Sequence, residues 1–422
     1  MLYSQKLLAE FERKRATLHG YQSQYGERLR AFRDALGSLG ARFPSAASLS
    51  AAQDALSHDQ ERQRSLGARP TAEYDRWRAP GGAGIPALPF GRQFAHHEEA
   101  REWAECLRGI TTFAVDGSQL PPWRDASIPV GLVQAGLFEN PHQQGVPYLK
   151  DVELELLSPD ELQDAESESA EARAGEAISF STQIVNLRRF ELEAQTLVRR
   201  MEHHARTQRG KPSASVVGLY DGSLIVSFAL KMPPHYRHRY VQASRKLLMT
   251  SRDTGVPLVG YIDTSYARGV VTMLAGLSDS DNLYQTRGVH DALLWQNALA
   301  WGDRSPAFIS AREDLGQMGY ADQQADVAFV YLKAAHDRPP VRLEFPRWIL
   351  DAGLLDDVMT VIRAEIVAGT GYPYPIESAD SVAVIQAPDR AQFYALFQQF
   401  AGESGLEFTF SRKALSKSRR RL

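Results

Sequence analysis

Phe113–Ser118 reads FAVDGS, and Leu219–Leu224 reads LYDGSL. Each is a short apolar run of strand type that closes on Asp-Gly. Such a run suits a buried strand, and a glycine at its end lets the backbone turn closely. Asp116 and Asp221 are therefore expected just after neighbouring strands, side by side at the edge of a sheet. A single Asp-Gly is an ordinary turn pair. Two of them, each closing a strand in a matching place, point to a shared site.

The elements around these runs set the architecture. TTFAVDGSQL is followed by ASIPVGLVQAGLFEN and VPYLKDVELELL, two more strand candidates. A Glu-rich run from Ser158 to Glu176 breaks that pattern and leads into a helix over 177–206, with Ile184, Leu187, Ala194, Val198 and Met201 on one side. SVVGLYDGSLIVSF reads as the fourth strand, 236–254 as a helix, and VPLVGYIDTSYA as the next strand. This order predicts an α/β protein with a mixed central sheet flanked by helices. Further on, AFVYLK and VRLEFPRWIL read as strands, and 352–369 and AQFYALFQQFAG as helices. On the N-terminal side, residues 1–42 read as one long helix. Leu18, Tyr25, Phe32 and Leu39 recur every seven residues, with Leu29 and Leu36 between them. That stripe fits a dimer seam, a partner surface, or a helix packed on its own domain. Residues 43–65 continue in helical style, and 66–92 read as a connector rich in Gly, Pro and Ala.

A third acid is expected from the helix between the two Asp-Gly strands, where Glu191 and Glu193 are the candidates. Seven residues either side of Glu191 stand Ile184 and Val198, so Glu191 interrupts an apolar column. The same step from Glu193 meets Asn186 and Arg200, a polar column. A carboxylate on a sheet-facing side is costly unless it is paired or bound to metal. This argument selects Glu191, with Glu193 as the alternative and Glu153 and Glu155 behind both. Three or four carboxylates suit two hard cations about 4 Å apart, which activate water and stabilise the leaving oxygen in phosphodiester cleavage. Mg²⁺ and Mn²⁺ take oxygen ligands.

Bulk properties agree. The chain has 422 residues, 43% hydrophobic and 23% charged, with a net charge of −3. Any nucleic-acid contact must then come from local basic patches rather than average charge. Cys106 is the single cysteine, which excludes an intramolecular disulfide and a thiolate zinc site. Its setting, EEAREWAECLRGI, reads as an amphipathic helix with the thiol as a small buried residue. The N-terminus has no signal-peptide pattern, and no run of about 18 apolar residues exists. A cytoplasmic protein without a membrane span is the expectation.

Asp on the first strand, two more strands, Glu on a helix and Asp on the fourth strand is the RNase H-like order. The flanking residues narrow it. VDGSQ and LYDGSL resemble the paired DGS motifs of the NurA nucleases. GDRSPAF at 302–308, FVYLK with VRLEFPRW at 329–348, GYPYPIESAD at 371–380 and the terminal SRKALSK are also similar to that family. The resemblance covers most of the chain from about 110 onward, and together with the element pattern it gives a helical N-terminal arm and linker over 1–92, an RNase H-like nuclease domain with C-terminal additions over 93–410, and a basic tail over 411–422. It implies a Mn²⁺- or Mg²⁺-dependent nuclease, usually dimeric, that works beside a HerA-type hexameric ATPase in resecting DNA ends. Asp116 and Asp221 match the family's metal-binding aspartates, and Glu191 is the match for its helical glutamate. The chain departs from many relatives in carrying Asp380 where they have histidine, and Asp263 near a position where some have lysine. Asp380 is a candidate for the metal cluster, since carboxylate serves oxygen-loving metals, and it also fits a plain surface residue near a helix start; Asp263 is read as structural.

Two basic stretches stand outside this core. Arg412, Lys413 and Lys417, in the tail, are candidate contacts to DNA phosphates. HYRHRY at 235–240, with Lys246 after it, interleaves cations with aromatics and fits stacking on single-stranded DNA or an ordinary helix surface. Other RNase H-like endonucleases, such as resolvases or Argonaute-related enzymes, share the strand order. A catalytically weak adaptor that brings an ATPase to DNA also fits the arm and the tail.

Overall fold

The apolar run around Asp116 folds as one long strand, and the remaining elements are arranged about it. The computed structural model describes residues 2–57, 66–77, 84–123, 126–163, 182–207, 212–278, 288–312 and 327–409. In chain order its elements are α1 Ser4–Gly37, α2 Leu39–Arg42, α3 Ala46–Ser57, β1 Gly67–Pro70, α4 Glu73–Arg76, α5 His97–Ala104, β2 Thr111–Leu120, β3 Gly131–Asn140, β4 Leu149–Leu157, α6 Thr182–Thr207, β5 Val216–Asp221, α7 Pro234–Thr254 and β6 Leu258–Ile262. They continue with α8 Gly269–Gly276, α9 Asp291–Trp295, β7 Phe308–Ala311, β8 Val327–Leu332, β9 Val341–Pro346, α10 Trp348–Asp351, α11 Leu355–Ala368, α12 Tyr374–Ala383 and α13 Ala387–Glu403. The chain divides into two compact units, Met1–Glu99 with Tyr261–Leu350 and Ala100–Gly260 with Asp351–Leu422.

In the unit that carries Asp116, the strand order is β6-β5-β2-β3-β4. β2 pairs antiparallel with β3, from Thr112↔Asn140 to Leu120↔Leu132, and β3 pairs antiparallel with β4. β2 pairs parallel with β5, from Thr111↔Val216 to Val115↔Tyr220. Alternate residues of a strand face opposite sides of the sheet. On one side Phe113 stacks on His204 of α6, with ring centroids 5.6 Å apart. On the other, Thr112 Oγ1 donates to Glu365 of α11 at 2.6 Å. The sheet is thus covered on both faces, which explains why Phe113, Ala114 and Val115 are all buried.

The other unit has strand order β1-β7-β8-β9, with antiparallel pairing throughout. The heptad stripe of α1 resolves here. Its C-terminal residues Phe32 and Leu36, with Leu39 of α2, sit in one core with Val270, Leu294, Trp295 and Phe308. The N-terminal half of α1 leaves Leu7, Phe11, Leu18 and Tyr21 exposed. The described residues of the connector, 66–77 and 84–92, include regular structure that its composition did not suggest. They hold β1 and α4, and Glu73 of α4 is buried against Arg304, with Nη1 and Nη2 each 2.6 Å from a carboxylate oxygen.

Three local expectations change. VRLEFPRWIL is a strand only to Pro346, whose ring nitrogen has no hydrogen to donate; a helical turn, Trp348–Asp351, follows. The run after Asp221 leaves the sheet for a 3₁₀ turn at Ser227–Lys231. Cys106 lies in a 3₁₀ turn at Glu105–Leu107, and its thiol is exposed, because α5 ends at Ala104 before the apolar face reaches it.

Candidate metal and catalytic site

The parallel register of β2 and β5 stops at Val115↔Tyr220. The next residues on the two strands are Asp116 and Asp221, so the strands deliver the two carboxylates side by side. Asp116 is not at a strand end as expected. β2 runs on through Gly117 to Leu120, still paired with β3. What ends beyond Val115 is the parallel partner, and that gap opens the site. At Asp221 the strand does end, and Gly222 follows with φ +136, a conformation that a residue with a Cβ rarely adopts.

Two helices complete the cluster. Asp380, near the end of α12, hydrogen-bonds with Asp116. From α6 comes Glu193, not Glu191. Glu193 is only 3% exposed and packs directly over Gly117. A Cβ at Gly117 would lie 2.0 Å from Glu193 Oε1, so only glycine permits this approach. Glu191 turns the other way. Arg239 of α7 donates to both its oxygens, at 2.8 and 2.6 Å, and Arg188 Nη1 lies 3.5 Å away. Glu153 and Glu155 on β4 pair with Arg199 and Arg188. Asp263 belongs to the other unit, with Arg338 at 4.0 Å. Arg412, Lys413 and Lys417 lie outside the described residues.

Electrostatics mark the cluster. Burial pushes the Asp116 carboxyl up to about 6. The Gly117 N–H opposes this, while the bond to Asp380 and the charge of Asp221 add to it. Burial likewise pushes Glu193 up to about 7 against the pull of Arg189, with Asp116 and Asp221 adding to the rise. Arg189 Nη1 sits 2.5 Å from Glu193 Oε1 and 3.3 Å from the Gly117 carbonyl. Tyr372 was missed by the sequence reading although it lies in GYPYP; its hydroxyl donates to Asp221 Oδ1 at 2.9 Å. A tyrosine eight residues before Asp380, on the loop entering the same helix, was the available signal.

The donors are all oxygen, the set that Mg²⁺ and Mn²⁺ prefer. Like charges crowded in a partly buried place are what a cation relieves. Among the described residues, no three of these side chains already surround one point closely enough to hold an ion. A cation would have to draw them together by side-chain rotation on fixed backbones. The residues fit the metal in their oxygen-donor chemistry and in the strands and helices that carry them, and Arg189 balances part of the charge at Glu193.

A mixed sheet in which β2 and β5 run parallel and β2 and β3 antiparallel, with helices on both faces and acids on adjacent strands and flanking helices, defines an RNase H-like α/β protein with a carboxylate site. The NurA domain model matches residues 110–385, more than half of the chain. The chain belongs to the NurA family. Among solved structures, a crystal structure of NurA with manganese shares 11% identity at a TM-score of 0.36, covering 71% of this chain and 92% of that one. A crystal structure of NurA bound to dAMP and manganese shares 10% identity at 0.35, covering 69% and 88%. The catalytic domain of human endonuclease V shares 11% at 0.29, covering 74% and 95%. No curated protein matches the chain. Among the described residues, no helix is long and apolar enough to cross a membrane.

Proposed function

We propose that the chain is a divalent-metal-dependent deoxyribonuclease that processes DNA ends. The observation that carries this reading is the gathering of Asp116, Asp221, Asp380 and Glu193 from two strands and two helices, with Asp116 and Glu193 both pushed up by burial and by their acidic neighbours. Family membership supports it. Asp116 and Asp221 are the central ligands, Glu193 and Asp380 close the cluster from opposite faces of the sheet, and Tyr372 fixes the rotamer of Asp221 through its hydroxyl. Two Mn²⁺ or Mg²⁺ ions would supply water activation and charge neutralisation on the leaving oxygen. Arg189, half-exposed beside Glu193, stands where a phosphate oxygen arrives. The reading includes the basic tail, with Arg412, Lys413 and Lys417 as phosphate contacts. It also includes a homodimer and a HerA-type ATPase partner in double-strand break repair, by kinship with the family.

The test is cleavage of end-labelled linear DNA, single- and double-stranded, with Mn²⁺, Mg²⁺ or EDTA. Wild type is compared with Asp116→Ala and Asp221→Ala. Metal-dependent loss of label that both substitutions abolish, with circular dichroism unchanged, is the expected result. Wild type that cuts nothing with either metal, alone or with the ATPase, would refute the reading.

A further inference from the structure

The HYRHRY segment does not do what its aromatics suggest. Tyr236 and Tyr240 are 1% and 3% exposed, turned into the unit's core and closed to stacking. Its cations face outward instead. α6 and α7 lie side by side, and between them runs a cleft of about 430 Å³. Its floor is Ala194, Val198 and Ala243. Its rims carry Arg199 from α6 and His238, Arg239 and Lys246 from α7.

We propose that this cleft is a phosphate-binding track for one strand of nucleic acid, leading away from the carboxylate cluster. The inference rests on the nuclease reading for its direction, since Glu191, which lines the cleft, stands two residues from Glu193 on α6. Arg188 and Arg189 are consecutive on α6. Arg189 reaches Glu193 in the cluster, and Arg188 reaches Glu191 at the mouth of the cleft. From Glu191 to Arg199 the helix advances about 12 Å, room for two successive phosphates of an extended strand. Two acids face the cleft's cations. Glu191 takes up Arg239, and Glu153 takes up Arg199. Lys246 has no ion pair or hydrogen-bond partner among the described residues, so the rim keeps one cation that neither of these acids takes up. The size selects the ligand. A cleft of about 430 Å³ takes in a stretch of one strand and is too small to enclose a duplex.

The test uses the full chain in EDTA, so that binding is read without cleavage. Fluorescence anisotropy measures the affinity for a labelled oligothymidine of about 12 nucleotides across a salt series. Wild type is compared with Lys246→Glu and with Arg101→Glu, an exposed cation on α5 as the control. Lys246→Glu is expected to weaken binding tenfold or more and to flatten the slope of log affinity against log salt by about 0.7, with Arg101→Glu close to wild type. Equal losses in the two variants would overturn the track. So would an equal effect of Lys246→Glu on a duplex of the same length or on free dAMP, because either shows that the cleft does not select an extended single strand. Failure of the nuclease reading is scored separately, by wild-type cleavage with metal. A chain that binds through Lys246 but never cuts refutes that reading alone.

Discussion

Exchanging Glu193 for glutamine separates the two helical glutamates by opposite responses in activity and stability. Glu193 is buried, and its carboxyl is pushed up to about 7 from an ordinary 4.5 by burial, by Asp116 and by Asp221. A folded-state value above the unfolded one means that the native protein holds the proton more tightly. Stability from this group is therefore full below about 4.5 and is lost as pH rises through about 7. At pH 8, without metal, the buried charge costs roughly 3 kcal/mol. Glu193→Gln removes that charge and leaves an amide oxygen to accept from Arg189. In EDTA its Tm should rise by several degrees at pH 8, since 1 kcal/mol is worth about 2–4 °C in a unit of this size. At pH 5 the rise should nearly vanish. Cleavage with Mn²⁺ should fall by more than the roughly 10–100-fold typical of losing an outer-shell partner. Glu191→Gln breaks a partly exposed pairing with Arg239 and a longer one with Arg188. It should cost about 1 kcal/mol or less and leave cleavage within about twofold of wild type. Scanning calorimetry at the two pH values, with cleavage rates of the same preparations, reads all of this. An inactive Glu191→Gln beside an active Glu193→Gln would sink the assignment.

Other consequences are quicker to check. Tyr372→Phe removes the hydroxyl from Asp221 Oδ1 and should slow cleavage by about tenfold, the worth of one hydrogen bond to a charged group, with the loss partly recovered at high Mn²⁺; unchanged kinetics would remove Tyr372 from the site. His142, with Nε2 3.2 Å from the buried Glu365, resists the lowering that burial imposes and is raised above 6.5 by that carboxylate. Its stabilisation is full below about 6.5 and declines as pH rises through the raised value. The Tm difference between wild type and His142→Asn should shrink from pH 6 to pH 9, and a constant difference would refute the pairing. Glu73→Ala strands the buried Arg304 and should destabilise by about 3–5 kcal/mol in urea titration; a loss below 1 kcal/mol would mean that water reaches the guanidinium.

The two aspartates could be read from FAVDGS and LYDGSL because strand ends and glycines are local properties. Their adjacency followed from strand order alone. The helical glutamate could not be read that way. Periodicity assigned the column of Ile184 and Val198 to the sheet, on the premise that the sheet wants apolar contacts all along α6. In the structure those two residues lie at the margin of the buried stripe, while Val185, Leu187, Leu197 and Met201 are completely buried. The polar column faces β2 and β3 because those strands offer it polar partners. Asn186 bonds Gln119, Glu193 lies over Gly117, and Arg200 reaches the buried Glu139, which also takes a 2.8 Å bond from His204. None of these partnerships is a property of α6 by itself. The same limit hid the core shared by α1 and the segment from α8 to β8, since contacts between distant stretches leave no periodic trace in either one.

The polar column of α6 also sets what kinds of genetic change the helix survives. Its three contacts are spaced at seven-residue steps, two turns each, so they stay aligned only while the count between them is kept. Replacing one partner loses one contact. Inserting or deleting one residue between Asn186 and Glu193 swings one end of the helix by about 100° relative to the other, and the rungs on the two sides of the change can no longer meet the sheet together. α6 is therefore a segment that tolerates spelling changes but not frame-preserving changes of length, and a library of single-codon deletions across 186–200 should show a continuous block of inactive clones where a substitution library shows isolated ones.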